Sequence, residues 1–556
     1  MHTTPAPAAR TDSGHPLEHL RELLSRAAAA VLADPSQTPP LLLERPRRAG
    51  QGHYATNAAM ALAPLARRPP RELAERLSAE LSVLMGDDLE RLEVAGPGFI
   101  NLFLSDGWHR RALRRVLAAG ERHGAGGARA PRRVLVEFVS ANPTGPLVAA
   151  SGRHAAYGDS LARILAHHGH SVWREYYFND AGGQIRLLGE SVRARARGEE
   201  VPDGGYHGEY VRELAERIEG AASLDADEVA ARAVALLLDE IKATLARYGV
   251  RYDGYFSERT LHEGSPSYVQ RALDAVAAAG HSYEAEGALW LRTTSFGDDK
   301  DRVLRRSDGR VTYFAADLAY MLQKLERGVQ LQLLPVGSDH HGYVARMKAA
   351  CAALGGDPDD VEMPLIQFVH LVEGSQRAAM SKRRGDFVTL DELLDEIGVD
   401  VTRFFMLQRS HDRTMDLDLE LARRQSPENP VYYVQYAHAR IASMLARVAD
   451  QRLAQALDPS CDWGDGGLQS AERELIRELV AFPDEVCEAA ERRAPHRIAA
   501  YALSLAQQFT VFYRDCRVIG VAPAEVESLR LALSKATGLT IAIALGLLGV
   551  RAPDSM

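Results

Sequence analysis

The stretch NPTGPLVAASGRH, residues 142–154, follows an apolar run from Val134 to Val139 that reads as a buried strand, and it precedes YGDSLARILAHHG, which reads as a helix. A strand, a Gly/Pro turn and a helix in that order make up the unit from which open parallel sheets are built. Ligands of such sheets sit beyond the C-terminal ends of the strands. Gly145, Pro146 and Gly152 predict a tight turn that lets the backbone come close to a phosphate at the helix start. Yet Val148 and Ser151 occupy places where strong hydrogen-bond donors are wanted.

Outward from this turn the same alternation continues. VLVEFV, a helix from about Gly152, HSVWREYYF and a helix from about Gly182 predict a parallel sheet with helices on its faces. The sheet resumes with EGALWLRTTSF and QLQLLPVGSDHHGY, so residues 131–400 are expected to form an α/β unit of Rossmann type with an insertion over about 200–285. Upstream, residues 17–122 read as a small α/β unit behind a flexible Pro/Ala-rich tail, residues 1–16, and the Gly/Ala/Arg run ERHGAGGARAPRR marks the boundary. Downstream, residues 401–556 read as amphipathic helices that close into an all-α bundle.

A chain of 556 residues is expected to divide into about three or four domains. With 46% hydrophobic and 25% charged residues it has the balance of a soluble globular protein; no apolar run is expected to reach the roughly 20 residues of a membrane span. The N-terminus carries no apolar signal-peptide core, so a cytoplasmic location without membrane contact is expected. Cys351, Cys461, Cys487 and Cys516 are far apart, which predicts reduced thiols rather than zinc ligands or disulfides. Asp339, His340 and His341 lie side by side, but no third or fourth ligand has suitable spacing, so no protein metal site is expected. A net charge of −9 offers no global attraction for nucleic acid, although local basic clusters such as HRRALRR from His109 exist.

A second chemical feature is AAMSKRRGDFVTLDELLDEIG. It predicts a cationic loop over 376–388 followed by a capped helix near Thr389, with Lys382 placed to offset charge developing on a leaving pyrophosphate.

The segments GHYATNAAMALA, AGPGFINLFL, EFVSANPTGPL, REYYFNDAGGQI, YHGEYVRELA, TTSFGDDKDRVL, TYFAADLAY, GSDHHGY, MSKRRGDFVTLDEL, ENPVYYVQYAHARI and LALSKATGL, taken in this order, resemble the arginyl-tRNA synthetases among the class I aminoacyl-tRNA synthetases. The resemblance implies a catalytic domain, an N-terminal domain that touches the tRNA elbow and a helical anticodon-binding domain. It also implies the reaction: ATP, as its Mg2+ complex, and L-arginine form arginyl-adenylate, and the arginyl group passes to tRNA(Arg), generally by a monomer that needs tRNA bound for the first step.

Carried over to this chain, Glu137 and Asn142 would hold the ammonium and backbone groups of arginine, while Tyr313 and Asp317, four apart on one helix face, would read the guanidinium. Asn179, Asp180, Gly182 and Gln184 would line the same pocket, and Asp339, His340 and His341 would face substrate near adenosine. Gly145, Ser151, Gly152 and Met380 would border the nucleotide, with Ser381 and Lys382 acting on its phosphates. Phe99 and Asn101 would meet an unpaired elbow base. On the helix holding Tyr432, Tyr433, Gln435, Tyr436 and His438, some tyrosines are expected to pack inward, leaving Tyr436 and Arg440 for RNA.

The chain departs from that family at both phosphate-handling signatures. Where His-x-Gly-His normally follows Gly-Pro-Leu, it has Val148, Ala149, Ala150 and Ser151; where Lys-Met-Ser-Lys is normal, it has Ala379, Met380, Ser381 and Lys382. Losing one transition-state donor typically costs about 3 kcal/mol, roughly a hundredfold in rate. Weakened or altered activation chemistry is therefore expected, with a regulatory paralogue or an enzyme of another arginine-using pathway as alternatives. His154, one turn past Ser151, and its neighbour Arg153 are the candidates to replace the lost imidazoles.

Overall fold

A computed structural model of the chain describes residues 15–32, 34, 36, 38–46, 48, 50–373, 376–377 and 388–556. The strand before the turn spans Arg133–Glu137 and forms the middle of a five-stranded parallel sheet. On one side follow Ser171–Phe178 and Gly254–Ser257; on the other follow Leu331–Leu333 and Val361–Glu362. Val134, Leu135 and Val136 are all at most 2% exposed, as a parallel strand covered on both faces requires. The strand order reverses between Arg133–Glu137 and Leu331–Leu333, so a crevice opens where their C-terminal ends part.

Two boundaries differ from expectation. Glu175 to Phe178 pair in register with Gly254 to Ser257, so the insertion expected over 200–285 is broken by a strand of the main sheet. Its first part is the helices Glu209–Arg217 and Ala226–Arg247, which pack with Gly183–Arg197; its second includes an antiparallel sheet of Ser282–Ala285, Ala288–Leu291 and Arg302–Arg305. The four residues Gly254–Ser257 form a half-exposed edge strand, too short for a hydrophobic period to show. Likewise Met415–Asp418 pairs with Val369–Glu373, so the bundle expected from residue 401 starts instead at Pro430.

The bundle consists of Pro430–Leu445, Ser470–Glu491, His496–Asp515 and Ala524–Leu548, with the short helix Asp450–Leu457. Contrary to expectation, Ala524–Leu548 is long and apolar enough to cross a membrane, with a mean hydropathy of 1.8, but 72% of that apolar window is buried. It is the core helix around which the others pack. All four cysteines are free thiols.

The N-terminal unit is an antiparallel sheet, in the order Tyr54–Thr56, Phe99–Leu104, Leu89–Ala95, under the helices Pro16–Val31, Ala58–Ala66, Pro70–Met85 and Asp106–Ala119. His15 caps the first helix through its ring; residues 1–14 of the expected tail lie outside the described residues. This unit rests on the bundle through paired charges. Arg473 donates to Asp106 at 2.6 Å, Arg45 to Glu478 at 2.7 Å and Arg21 to Asp484 at 3.0 Å.

Candidate active site

Beyond Glu137 the chain leaves the sheet through Val139 (φ 66°) and Ser140 (φ 43°), both in the left-handed region. For a β-branched valine this is a strained conformation, of the order of 1–3 kcal/mol, and such strain tends to collect where a site needs its geometry held. The strap is fixed from the next strand: Tyr177 N donates to Ser140 Oγ at 3.1 Å, and the Tyr176 hydroxyl donates to the Ala141 carbonyl at 2.8 Å. Asn142 then reaches across to the following loop. Its amide donates to Gln184 Oε1 at 3.2 Å, and its Oδ1 accepts from Asn179 N at 3.4 Å. Three residues from two motifs thus meet. Asp180 closes the loop beneath them, accepting from Ser257 Oγ at 2.8 Å, and Gly182 (φ 91°) supplies the left-handed residue that starts the helix Gly183–Arg197.

Beside this network lies an acidic cluster. The carboxylates of Glu137 and Glu258 are within electrostatic reach of Asp317, and so is the Lys324 cation. Lys324 donates to Glu137 Oε2 at 2.6 Å, and the Tyr177 hydroxyl donates to Glu258 Oε2 at 2.6 Å. Burial, aided by Glu258 and Glu137 and opposed by the Tyr343 hydroxyl, raises the Asp317 carboxyl to about 6. Asp317 and Tyr313, expected to read the guanidinium together, stand in different surroundings. Tyr313 opens its helix 71% exposed, and the phenol that donates to Asp317 is Tyr343, brought in by the turn Ser338–Tyr343. Glu258, Lys324 and Tyr343 were all missed in the sequence. Lys324 left a signal in lying two helical turns from Asp317 on the same face, and Tyr343 ends the quoted GSDHHGY segment.

The nucleotide side differs more. Leu147 O accepts from Leu390 N at 2.7 Å and Ala149 N donates to Val388 O at 2.9 Å, so the turn is stitched to the segment entering the helix Leu390–Ile397. The helix after the turn spans Ser151–His168, but its first amides are not free for a phosphate. Ser151, Gly152 and Arg153 donate to the carbonyls of Val148, Ala149 and Ala150 at 2.8, 3.0 and 3.2 Å. The glycines also do packing work. A Cβ on Gly152 would come within 2.9 Å of Leu390, and one on Gly145 within 3.2 Å of the Tyr210 ring; both permit close packing at the turn.

Arg153 is no replacement for a lost imidazole. It is 1% exposed and its guanidinium is spent on the carbonyls of Gln367, Phe368, Ser410 and Arg413. His154 remains: burial, with Arg153 close by, lowers it to about 4, and it lies within electrostatic reach of Asp339 and His340. Asp339, His340 and His341 are exposed in the turn Ser338–Tyr343, with His340 Nε2 at 3.6 Å from Asp339. Ser151 is half-buried at the helix start. Met380, Ser381, Lys382 and all of the 376–388 loop but Gln376, Arg377 and Val388 lie outside the described residues, and among the described residues no three His, Cys, Asp or Glu side chains could share a metal.

On the surfaces expected to meet RNA, Phe99 is 41% exposed at the hairpin, whereas Asn101 is enclosed at 8%. On the first bundle helix, Gln435 turns inward to Asp400 and the Arg551 carbonyl, and Tyr433 packs along the core. Tyr432 and Tyr436 stack outside. Arg440 donates to the Tyr436 hydroxyl at 2.9 Å and sits between the Tyr436 and Tyr513 rings, at the edge of a groove of about 200 Å³.

Comparison with known proteins bears on what these parts are. Residues 18–104 match the arginyl tRNA synthetase N terminal domain, residues 213–429 the catalytic domain of tRNA synthetases class I (R), and residues 434–556 the DALR anticodon binding domain. An arginine–tRNA ligase of Frankia alni is 45% identical over 547 residues, covering 96% of this chain and 98% of its own. One of Bacillus subtilis is 42% identical over 550 residues, with coverage of 96% and 98%. The solved structure of Thermus thermophilus arginyl-tRNA synthetase superposes with a TM-score of 0.76 at 26% identity, covering 97% of this chain and all of that one.

Proposed function

This chain belongs to the arginyl-tRNA synthetase family, whose members charge tRNA with arginine using ATP, and from that premise we propose how its residues divide the work. The acidic cluster carries the reading: among the described residues Asp317 and Glu258 form no ion pair, and arginine brings a guanidinium and an ammonium. Asp317 takes the guanidinium, with Glu258 beside it, and Glu137 with the Asn142–Gln184–Asn179 network takes the ammonium and the substrate backbone. Tyr313, exposed at the mouth, closes over the bound side chain.

The arginine carboxylate then attacks the α-phosphorus of ATP, pyrophosphate leaves, and a hydroxyl of the terminal tRNA ribose displaces AMP. Because the first helix amides are already used, hydrogen bonds to the phosphates must come from side chains: the Ser151 hydroxyl, the neutral His154 ring, His340 and, from the loop, Lys382. Magnesium arrives on the nucleotide, with phosphate oxygens as its ligands, and offsets their charge. Activation is slower than in relatives with both imidazoles, by about two orders of magnitude or more. Phe99 stacks on an elbow base, and the Tyr436–Arg440 groove takes the anticodon loop of tRNA(Arg). The enzyme works as a cytoplasmic monomer.

ATP–pyrophosphate exchange in the presence of arginine and tRNA tests this directly. Exchange that is slow but well above background, and absent with lysine in place of arginine, is the expected result. Silence at every enzyme concentration would refute the assignment of catalysis to this chain.

A further inference from the structure

The helix Tyr313–Glu326 with its cap Arg327 carries Asp317, Tyr320, Lys324 and Arg327 as one stripe, and that stripe lies over the ends of two neighbouring strands. Glu137 and Glu175 are directly paired in those strands, two carboxylates side by side in a parallel register. Each has its own cation from the helix. Arg327 donates to Glu175 Oε1 at 2.9 Å, where the Tyr320 hydroxyl also donates at 2.6 Å, and Trp173 Nε1 donates to the other oxygen at 2.9 Å. Glu175 is thereby fully occupied and faces no ligand. Lys324, its side chain 2% exposed, lies 3.8 Å from the Tyr320 ring centroid and gives its hydrogen bond to Glu137 Oε2 alone. Among the described residues Glu137 Oε1 has no hydrogen-bond donor.

We propose that Lys324 is a positioning residue for arginine: it fixes the Glu137 carboxylate with one oxygen turned to the substrate ammonium, and it cancels one of the pocket's three negative charges. The remainder, two carboxylates, matches a substrate whose side-chain end and α-amino end are both cationic. The inference rests on the pocket being the arginine site. A pocket of three uncompensated carboxylates would hold a proton in place of a substrate cation, because like charges at this separation do not all ionise. Facing Asp317 are Tyr343 from the turn 338–343, Glu258 from the segment after the edge strand Gly254–Ser257, Tyr177 from the strand Ser171–Phe178, Glu137 from the central strand, and Lys324 from its own helix.

Arginine KM and kcat, measured from pH 6 to 9.5 at saturating ATP and tRNA in the full-length enzyme, separate this from a purely structural role. Lys324→Met is expected to raise arginine KM about tenfold or more at pH 7 while ATP KM stays within about twofold. It is also expected to move the acid-side midpoint of the arginine KM profile up by about one pH unit, so that affinity recovers toward pH 9. Lys324→Arg keeps both near the parent. Should Lys324→Met not fold, Lys324→Gln carries the same two readouts. An unchanged arginine KM, or one raised equally at every pH with the midpoint in place, overturns the proposal. Asp317→Asn is run alongside: if that variant binds arginine as the parent does, the pocket assignment itself has failed, whatever Lys324 does.

Discussion

At the scale of single residues the outcome turns on Asp317. Its carboxyl is raised to about 6 chiefly by burial, and only the ionised form can pair with a guanidinium. Arginine binding is therefore full above that value and weakens as pH falls through it, with KM rising about tenfold for each pH unit below 6. A flat KM between pH 7 and 5, from steady-state charging, would contradict the role. Arg153 gives the opposite kind of prediction. Arg153→Met leaves the Gln367 and Arg413 carbonyls without the guanidinium donor, takes one of two donors from those of Phe368 and Ser410, and should lower stability by about 2–3 kcal/mol in chemical denaturation, whereas His154→Ala should slow activation while leaving stability within about 1 kcal/mol. The sequence offered His154, one turn past Ser151, with its neighbour Arg153 as the other candidate. What separates them is direction around the helix, which depends on what packs against it. Tyr343 stood in a quoted motif but was passed over for its neighbours His340 and His341, because no spacing rule connects the end of a short turn to a helix more than twenty residues earlier.

At the scale of elements, the turn 147–153 stands where the family signature is expected but lacks its imidazole donors. Ala149 is buried, and Val148, Ala150 and Ser151 are half-exposed. Ala150 has φ −61° and ψ −31°, an ordinary helical conformation, so the missing glycine is a matter of clearance and not of backbone strain. Placing histidine at 148 and 151 and glycine at 150 should then raise the exchange rate by about a hundredfold or more, with little change in arginine KM. A rate that does not move would mean that the rest of the crevice is not built for the nucleotide. Gly152→Ala acts through packing: its methyl meets Leu390 at 2.9 Å, and the overlap should cost about 1–3 kcal/mol, read as a lowered melting temperature. The strand at 133–137 and the helix at 151–168 were legible because apolar period and turn chemistry agreed. The strands at 254–257 and 415–418 were not, since edge strands of four residues with alternating exposure leave almost no hydrophobic signature.

At the scale of the whole molecule, one side chain joins three parts. Arg403, fully buried, donates to Asp159 on the signature helix at 2.5 Å, to the Tyr248 carbonyl at the end of the inserted helix at 3.0 Å, and to the Leu548 carbonyl at the end of the core bundle helix at 2.8 Å. Asp159→Asn leaves that cation without its counter-charge and should destabilise catalytic unit and bundle together, by about 3–5 kcal/mol in a single unfolding transition. Two separated transitions in calorimetry would show that the parts are independent. The sequence named the three parts but not how they dock, because Arg403, Arg473 and Arg45 are common residue types with partners hundreds of residues away or in no recognisable motif. The account as a whole depends on the pocket built from Asp317, Glu258 and Glu137 being the seat of arginine. Isothermal titration of the enzyme, in the presence of tRNA, with arginine at pH 7.5 measures this most directly: one saturable site is expected, weakened about a hundredfold or more in Asp317→Asn, whereas no heat in the parent, or the same heat in the variant, would contradict it.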